Sequence, residues 1–153
     1  LCFLSRIWAD LSQNRSMPEP FLWRSRVRFS DTDASGRIHY SAMFRYMEAA
    51  EEEFLRSLGA QYSGIAASLR LSFPRVHVEA QFVAGLHYDD VVDVEVSVER
   101  VGETSFTLYF DASMEGAPAA RGRMTVVCIS VVTERAAALP PELAAALRGA
   151  GVE

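Results

Sequence analysis

One uninterrupted helical segment, residues 41–58, constrains the fold of this chain more than any other feature. The segment contains no Gly or Pro and is rich in Ala, Met, Leu and Glu. Ser41 is its expected N-cap, and Gly59 is expected to end it. Its apolar residues recur at helical spacing and form one broad stripe: Met43, Phe44, Tyr46, Met47, Ala50, Phe54 and Leu58. A helix that is apolar around so much of its girth needs more than one surface to cover it, so the rest of the chain must wrap around it.

The segments around this helix alternate between apolar and polar residues, which is the pattern of half-buried strands. One such segment precedes the helix and four follow it, with turn-forming residues between them at the spacing of an antiparallel meander. The five are residues 23–30, 76–82, 92–98, 106–110 and 124–132, the last apolar on both faces like a central strand. Short helices are expected at residues 62–70 and after Pro141. We therefore predict an α+β fold, an antiparallel sheet of about five strands wrapped around one long central helix.

Composition favours one globular domain. The chain has 153 residues, half of them hydrophobic and 23% charged, which suits a single sizeable core. We assign this domain to residues 17–153, because Met17 has the context of a natural start. Residues 1–16 form an extension that is either non-native or a short helix, since its apolar residues fall at helical spacing.

Several classes of function are disfavoured by composition and motifs. A net charge of −5 without basic runs argues against nucleic-acid binding. No apolar run approaches the roughly 20 residues needed to span a membrane. Cys2 and Cys128 lie too far apart for a disulfide framework or a metal motif, so we expect a cytoplasmic protein with neither metal nor other cofactor. The absence of a Gly-x-Ser-x-Gly element, a Walker motif and a Rossmann motif argues against serine hydrolase and nucleotide-binding chemistry.

The residues that carry chemistry lie between the first strand and the helix. They read Asp31-Thr32-Asp33-Ala34-Ser35-Gly36-Arg37-Ile38-His39-Tyr40: two acids, a glycine turn, and a His-Tyr pair at the start of the helix. A carboxylate that faces a helix N-terminus is suited to attack on a carbonyl, because the carboxylate drives the attack and the helix amides hold the oxyanion. Asp31 is expected to form an Asx-type turn with its own loop. The Glu51-Glu52-Glu53 run is expected to be a solvated helix face.

This stretch, together with Glu48 further along the helix, resembles the 4-hydroxybenzoyl-CoA thioesterase family of hotdog-fold proteins, and in particular the branch associated with the Tol–Pal gene cluster. The resemblance covers residues 22 to about 133. It implies a hotdog fold and hydrolysis of an acyl thioester of coenzyme A or acyl-carrier protein. It also implies that Asp33 is the catalytic carboxylate, as nucleophile or as general base, and that the Tyr40 N–H is the oxyanion donor.

The same resemblance suggests the remaining site residues and the assembly. His39 is a further candidate for catalysis, with a pocket-wall role as the alternative, because some relatives carry the pair in the order Tyr-His. The expected substrate-binding residues are Gly36, Ser41, Met43 and Glu48, of which Glu48 could instead be structural. We expect a homodimer or homotetramer with active sites at subunit interfaces, and the strand at 75–83 is the candidate for pairing with its copy.

Two other functions stay open from the sequence alone. One is a hotdog hydratase or dehydratase with catalysis centred on His39, and the other is a non-catalytic acyl-thioester binding or scaffold protein. The carrier also stays open, because the hairpin at residues 101–105 lacks the basic residues that would hold coenzyme A phosphates. Arg100, Arg121 and Arg123 are the nearby cationic candidates. The acyl group is not determined by the sequence.

Overall fold

A computed structural model describes residues 20–151, so the expected extension at residues 1–16 lies outside the described residues. The elements follow in chain order: β1 (Phe21–Arg26), a 3₁₀ turn (Phe29–Asp31), α1 (Tyr40–Ser57), α2 (Tyr62–Leu69), β2 (Leu71–Ser72), β3 (Arg75–Phe82), β4 (Val91–Val101), β5 (Ser105–Met114), β6 (Ala117–Val127), β7 (Ile129–Ser130) and α3 (Pro141–Ala150).

The main sheet has five strands in the order β1-β4-β5-β6-β3, and every neighbouring pair is antiparallel. Helix α1 contacts β1, β4 and β3, so the sheet wraps around it. Helix α3 contacts β4 and adds Leu143 and Leu147 to the same core. Strands β2 and β7 form a separate pair. The predicted α+β architecture, with about five strands around one long helix, is therefore confirmed.

Side-chain alternation explains why these segments form these elements. Along β4, Val92, Val94 and Val96 are buried towards the helix, while the residues between them face outwards. On α1, the predicted apolar stripe faces the sheet, and most of its members are buried: Met43, Tyr46, Met47, Ala50 and Phe54. The predicted strand at 76–82 corresponds to β3, which is an edge of the described sheet.

The sheet and α1 approach each other very closely at Gly122 of β6. A β-carbon added at Gly122 would lie 2.7 Å from both the Sδ and the Cε of Met47. It would also lie 2.9 Å from the carbonyl oxygen of Glu79 on the neighbouring strand. Such separations are well inside van der Waals contact, so the lack of a side chain at Gly122 is what lets the Met47 thioether fill the space between helix and sheet.

Two predicted strand boundaries are wrong. Strand β1 ends at Arg26 rather than at residue 30. Its pairing with the β4 side continues only as far as Val27, whose N–H donates to the Asp90 carbonyl at 2.8 Å, and a 3₁₀ turn over Phe29–Asp31 then takes the chain out of the extended conformation. Strand β6 runs over residues 117–127 rather than 124–132. The end of the predicted strand, Ile129–Ser130, pairs instead with β2. Periodicity alone could not reveal this change of partner.

The three consecutive glutamates, Glu51–Glu53, do not all lie on a solvated helix face as predicted. Glu52 and Glu53 are exposed, but Glu51 is fully buried. The Glu51 carboxylate accepts hydrogen bonds from the Tyr62 hydroxyl at 2.6 Å and from Arg75 Nη2 at 2.7 Å. Burial raises the pKa of Glu51, and these hydrogen bonds oppose that rise only in part. The pairing ties α1 to α2 and to the start of β3.

Candidate active site

The loop between β1 and α1 is a tight hairpin. Thr32 and Ile38 form an antiparallel bridge, and the Asp33 N–H donates to the Arg37 carbonyl at 2.9 Å. The Gly36 N–H donates to the Asp33 carbonyl at 3.0 Å. Gly36 has φ +76°, the left-handed conformation that a three-residue hairpin loop needs at this position. The hairpin turns the chain back, so that residues 37–39 return beside residues 31–33 and lead into the start of α1.

This hairpin is fixed to the rest of the domain on two sides. The His39 N–H donates to the Asp31 carbonyl at 2.7 Å, and the Ile38 N–H donates to the Leu86 carbonyl at 2.9 Å. Arg37 lies against Gly85, where an added β-carbon would be only 2.9 Å from the Arg37 side chain. The loop therefore has a defined conformation, as a catalytic loop requires.

Asp33 lies at the exposed tip of the hairpin. Its Oδ1 accepts a hydrogen bond from the Ser35 N–H at 2.7 Å, which is an Asx turn. Hydrogen bonds from Ser35, joined by the charge of Arg37, lower the pKa of Asp33 below its ordinary value of 3.8. The carboxylate is therefore ionised and accessible, which is what attack on a carbonyl or activation of water requires.

Asp31 has the opposite environment, since its side chain is almost fully buried. It accepts hydrogen bonds from the Arg28 N–H at 3.0 Å, from Arg45 at 2.9 Å and from the Tyr46 hydroxyl at 2.8 Å. Burial alone would raise the pKa of Asp31, but these hydrogen bonds outweigh it and the net pKa is lowered. The Asx turn expected at Asp31 is therefore wrong, because the turn belongs to Asp33. Asp31 has a structural role, because its carboxylate binds Arg28, Arg45 and Tyr46.

Helix α1 has His39 as its N-cap, so the prediction of Ser41 as the N-cap is wrong. The His39 Nδ1 accepts from the Ser41 N–H at 3.3 Å and lies 2.8 Å from the Ser41 Oγ. The ring centroids of His39 and Tyr40 are 4.3 Å apart. The Tyr40 N–H, the first of the helix, has no acceptor within residues 20–151. First-turn amides of this kind, aligned with the helix dipole, favour developing negative charge.

The structure brings some predicted site residues together and separates others. Gly36, His39, Tyr40 and Ser41 belong to the hairpin and the helix start. Met43 is buried in the core at 2% exposure, so its position is that of a packing residue rather than an open pocket wall. The Glu48 side chain is exposed, and its carboxylate has no hydrogen bond to any residue from 20 to 151. It lies about two helical turns, roughly 12 Å, along α1 from Tyr40, too far to hold the loop amides of its own chain.

Sequence reasoning missed Arg45 and Tyr46, which bind the buried Asp31. The available signal was spacing: Arg45 is four residues after Ser41, so both lie on one face of α1 and meet at the hairpin. Their partner Asp31 is 14 and 15 residues away in the chain, which no local pattern shows.

Large apolar side chains are exposed near the hairpin end of the sheet. Phe29 and Tyr88 are 79% and 59% exposed and pack edge-to-face, while Tyr40 is 65% exposed. Phe82 and Val83, at the end of β3, are also about half exposed. Within residues 20–151, no group of three or more His, Cys, Asp or Glu could hold a metal ion. No helix in that range has the length and hydropathy to cross a membrane.

Comparison with known proteins identifies the family. A model described as the thioesterase-like superfamily matches residues 27–147. This chain belongs to that superfamily. Among its relatives, the 1,4-dihydroxy-2-naphthoyl-CoA hydrolase of Prochlorococcus marinus (strain MIT 9313) is 32% identical over 143 residues, which cover 88% of this chain and 95% of that protein.

Solved structures of similar proteins confirm the hotdog fold of this superfamily member. A hypothetical protein from Aquifex aeolicus has a TM-score of 0.78 and 31% identity, covering 84% of this chain and 99% of that one. A gentisyl-coenzyme A thioesterase has a TM-score of 0.75 and 28% identity, covering 82% of this chain and 98% of that one. The narrower resemblance to the 4-hydroxybenzoyl-CoA branch stays a prediction.

Proposed function

We propose that this protein hydrolyses an acyl-CoA thioester to a free acid and a thiol, with Asp33 as the catalytic carboxylate and the Tyr40 N–H as an oxyanion donor. One observation carries the proposal: an exposed, ionised carboxylate is held on a rigid hairpin that leads directly into the N-terminus of α1. Such a donor contributes about 3 kcal/mol to lowering the barrier of acyl transfer. Membership of the thioesterase-like superfamily supports the same reaction.

The substrate we propose is a coenzyme A thioester of a hydroxylated aromatic acid. The Prochlorococcus relative is named for a dihydroxynaphthoyl thioester, and one structural neighbour is named for a gentisyl thioester. The 4-hydroxybenzoyl group belongs to the same chemical class. The exposed rings of Tyr40 and Phe82 near the hairpin are suited to contact an aromatic acyl group.

For the carrier, Arg121 is our candidate to bind a coenzyme A phosphate. Arg123 is held by Glu99 at 2.7 Å and by Glu79 at 3.1 Å, so its charge is already neutralised. Within residues 20–151, Arg121 has one acidic partner, Asp111 at 3.9 Å, and it lines a groove of about 390 Å³ on the outer face of the sheet. We also propose a cytoplasmic location, consistent with the buried free thiol of Cys128.

We further propose a homodimer formed through β3. This strand is an edge of the described sheet, and it exposes a row of apolar side chains: Val76, Val78, Phe82 and Val83. An exposed apolar edge strand is a surface that a second copy covers by continuing the sheet. Pairing at this edge would bring a second subunit beside the hairpin, where the exposed Glu48 of one chain becomes available to the other. A tetramer of two such dimers remains compatible with this arrangement.

The proposal is tested by measuring thiol release from a panel of acyl-CoAs, with aromatic and aliphatic members. We expect Asp33→Asn to abolish release while leaving substrate binding largely intact. Asp93→Asn is the control, because it removes only an exposed ion pair with Arg24. Unchanged turnover in Asp33→Asn would refute the mechanism. Loss of thiol release in His39→Ala with release retained in Asp33→Asn would favour catalysis centred on His39. Binding without thiol release in the wild type would leave a hydratase, which does not cleave the thioester, or a binding module.

The two catalytic routes open to Asp33 differ in where oxygen from water first appears. In the nucleophilic route the carboxylate attacks the thioester carbon, the thiolate leaves, and water then hydrolyses the anhydride. In the general-base route water attacks while Asp33 accepts its proton. Single turnover in oxygen-18 water distinguishes them, since label in the Asp33 carboxylate marks the first route and label only in the released acid marks the second.

A further inference from the structure

A chain of polar side chains runs from the buried Asp31 to the ring of His39 at the start of α1. Arg45 is at its centre: Nη2 donates to Asp31 Oδ1 at 2.9 Å, and Nη1 donates to Ser41 Oγ at 3.2 Å. The Ser41 Oγ in turn lies 2.8 Å from His39 Nδ1. The two ends of this chain are also joined directly, because the Asp31 carbonyl accepts a hydrogen bond from the His39 N–H at 2.7 Å. Both ends of the hairpin that carries Asp33 are thus tied to one guanidinium group.

The donors in this chain determine which ring nitrogen of His39 carries the proton. A guanidinium group cannot accept a hydrogen bond, so Arg45 occupies a lone pair of Ser41 Oγ and leaves the hydroxyl proton free to donate to Nδ1. The Ser41 N–H also points at Nδ1, from 3.3 Å. A nitrogen that faces two donors is the acceptor, so the proton of the neutral imidazole lies on Nε2. Nε2 has no hydrogen bond to any residue from 20 to 151.

We propose that Arg45 is a positioning residue that, through Ser41, holds His39 as the Nε2–H tautomer, and that this N–H is a second hydrogen-bond donor for the thioester oxygen. The inference rests on the proposed thioesterase function. When the nucleophile adds to the thioester carbon, the carbonyl electron pair moves to oxygen, and a neutral N–H from the N-cap of α1 would stabilise that charge together with the Tyr40 amide. Arg45 does not touch the substrate in this scheme.

A purely structural role for Arg45 makes a different prediction. If Arg45 only braced Asp31 and the hairpin, its loss would lower stability without changing the protonated nitrogen of His39. The tautomer is directly measurable, because the two nitrogens of a neutral imidazole have distinct ¹⁵N chemical shifts. The chain contains only three histidines, so the His39 signals can be assigned with a His39→Gln variant.

The experiment compares Arg45→Met with Arg56→Met, a control in the same helix whose guanidinium pairs with Glu53 on the exposed surface. Turnover is measured on the acyl-CoA that the wild type hydrolyses fastest. For Arg45→Met we expect kcat to fall roughly 10- to 100-fold, KM to change less than about threefold, and His39 to become a mixture of tautomers. Arg56→Met should retain the wild-type values of all three.

A second variant, Ser41→Ala, removes the relay but leaves the Arg45–Asp31 contact in place. We expect it to reproduce the loss of kcat, and the double variant to be no worse than either single one. Arg45→Met with an unchanged Nε2–H tautomer, or with reduced stability but unchanged kcat, would overturn the inference. If the wild type hydrolysed no acyl-CoA, the proposed function would fail, while the ¹⁵N measurement would still decide the role of Arg45 in setting the tautomer.

Discussion

Asp31 and Asp33 are one residue apart, and their surroundings assign them opposite roles. Asp31 is buried and accepts three hydrogen bonds, so its charge is used to hold the hairpin on α1. Asp33 is exposed, and the one described donor to its carboxylate is the N–H of Ser35, two residues further along the turn. Only Asp33 therefore presents an unencumbered carboxylate oxygen to a ligand. Two positions in the chain therefore separate a structural aspartate from the one proposed for catalysis.

The fall of kcat/KM at low pH should follow the protonation of Asp33. Because the pKa of Asp33 is lowered, its ionised form persists to lower pH than that of an ordinary aspartate. We expect kcat/KM to stay constant from about pH 8 down to about pH 5, and to fall only as the pH drops below the ordinary carboxyl value of 3.8. Circular dichroism at each pH separates this loss from unfolding. An inflection near pH 6 would point to a histidine instead of Asp33.

Residue roles were the part of the molecule least accessible from sequence. The motif drew attention to Asp33, the glycine turn and the helix start, and the structure has the predicted glycine turn before the helix, because both follow from local backbone geometry. The N-cap and the Asx turn were assigned to Ser41 and Asp31, and the structure gives them to His39 and Asp33. Glu51 looked like its exposed neighbours because its partners Tyr62 and Arg75 are 11 and 24 residues away. Burial set by distant partners leaves no local pattern.

At the scale of elements, periodicity predicted the order and type of the helices and main strands well. A 3.6-residue stripe and a two-residue alternation are direct consequences of which face is buried. Strand ends were less predictable. Strand β1 gives way to a 3₁₀ turn soon after the Val27–Asp90 pair, and β7 pairs with β2 instead of continuing the main sheet. The contact between α1 and β6 was not predicted at all, since a glycine in a strand does not reveal what lies against it.

The tight contact between α1 and β6 can be tested with two glycines of opposite expected behaviour. Gly122→Ala forces Met47 or the strand to move, and we expect it to destabilise the protein by about 1–3 kcal/mol. Gly149, near the end of α3, has no atom within 4 Å of an added β-carbon. We expect Gly149→Ala to stabilise the protein by about 0.5–1 kcal/mol through helix propensity. Denaturant unfolding measures both, and equal effects of the two variants would contradict the close packing described at Gly122.

At the scale of the whole molecule, the distribution of apolar surface is uneven. The outer faces of β4 and β6 carry ion pairs, such as Arg24 with Asp93 and Arg123 with Glu99. The edge strand β3 instead exposes Val76 and Val78, together with Phe82. An apolar edge on an otherwise polar surface favours self-association at that edge. The proposed active site lies at the same end of the sheet as Phe82, so assembly and catalysis are expected to depend on each other.

Dimerisation can be tested by placing a charge on this edge. We expect Val78→Lys to convert a dimer into a monomer at micromolar concentration and to reduce turnover, because a lysine there must be desolvated when the edge is covered. Ser97→Lys adds the same charge to the outer face of β4, an interior strand on the far side of the sheet from β3, and should change neither property. Light scattering and thiol release measure the two effects. A wild type that is monomeric and fully active would contradict both the dimer and the interface site.

The contact between Met47 and Gly122 also bears on oxidative damage. Met47 is 1% exposed, and its sulfur lies so close to the strand that a β-carbon added at Gly122 would be only 2.7 Å away. Peroxide can therefore reach this sulfur only when α1 moves away from the sheet, and a sulfoxide formed in that interval would prevent the helix from returning. The rate of Met47 oxidation thus measures how often α1 separates from the sheet. Each oxidation adds the mass of one oxygen atom, which persists until a reductase removes it.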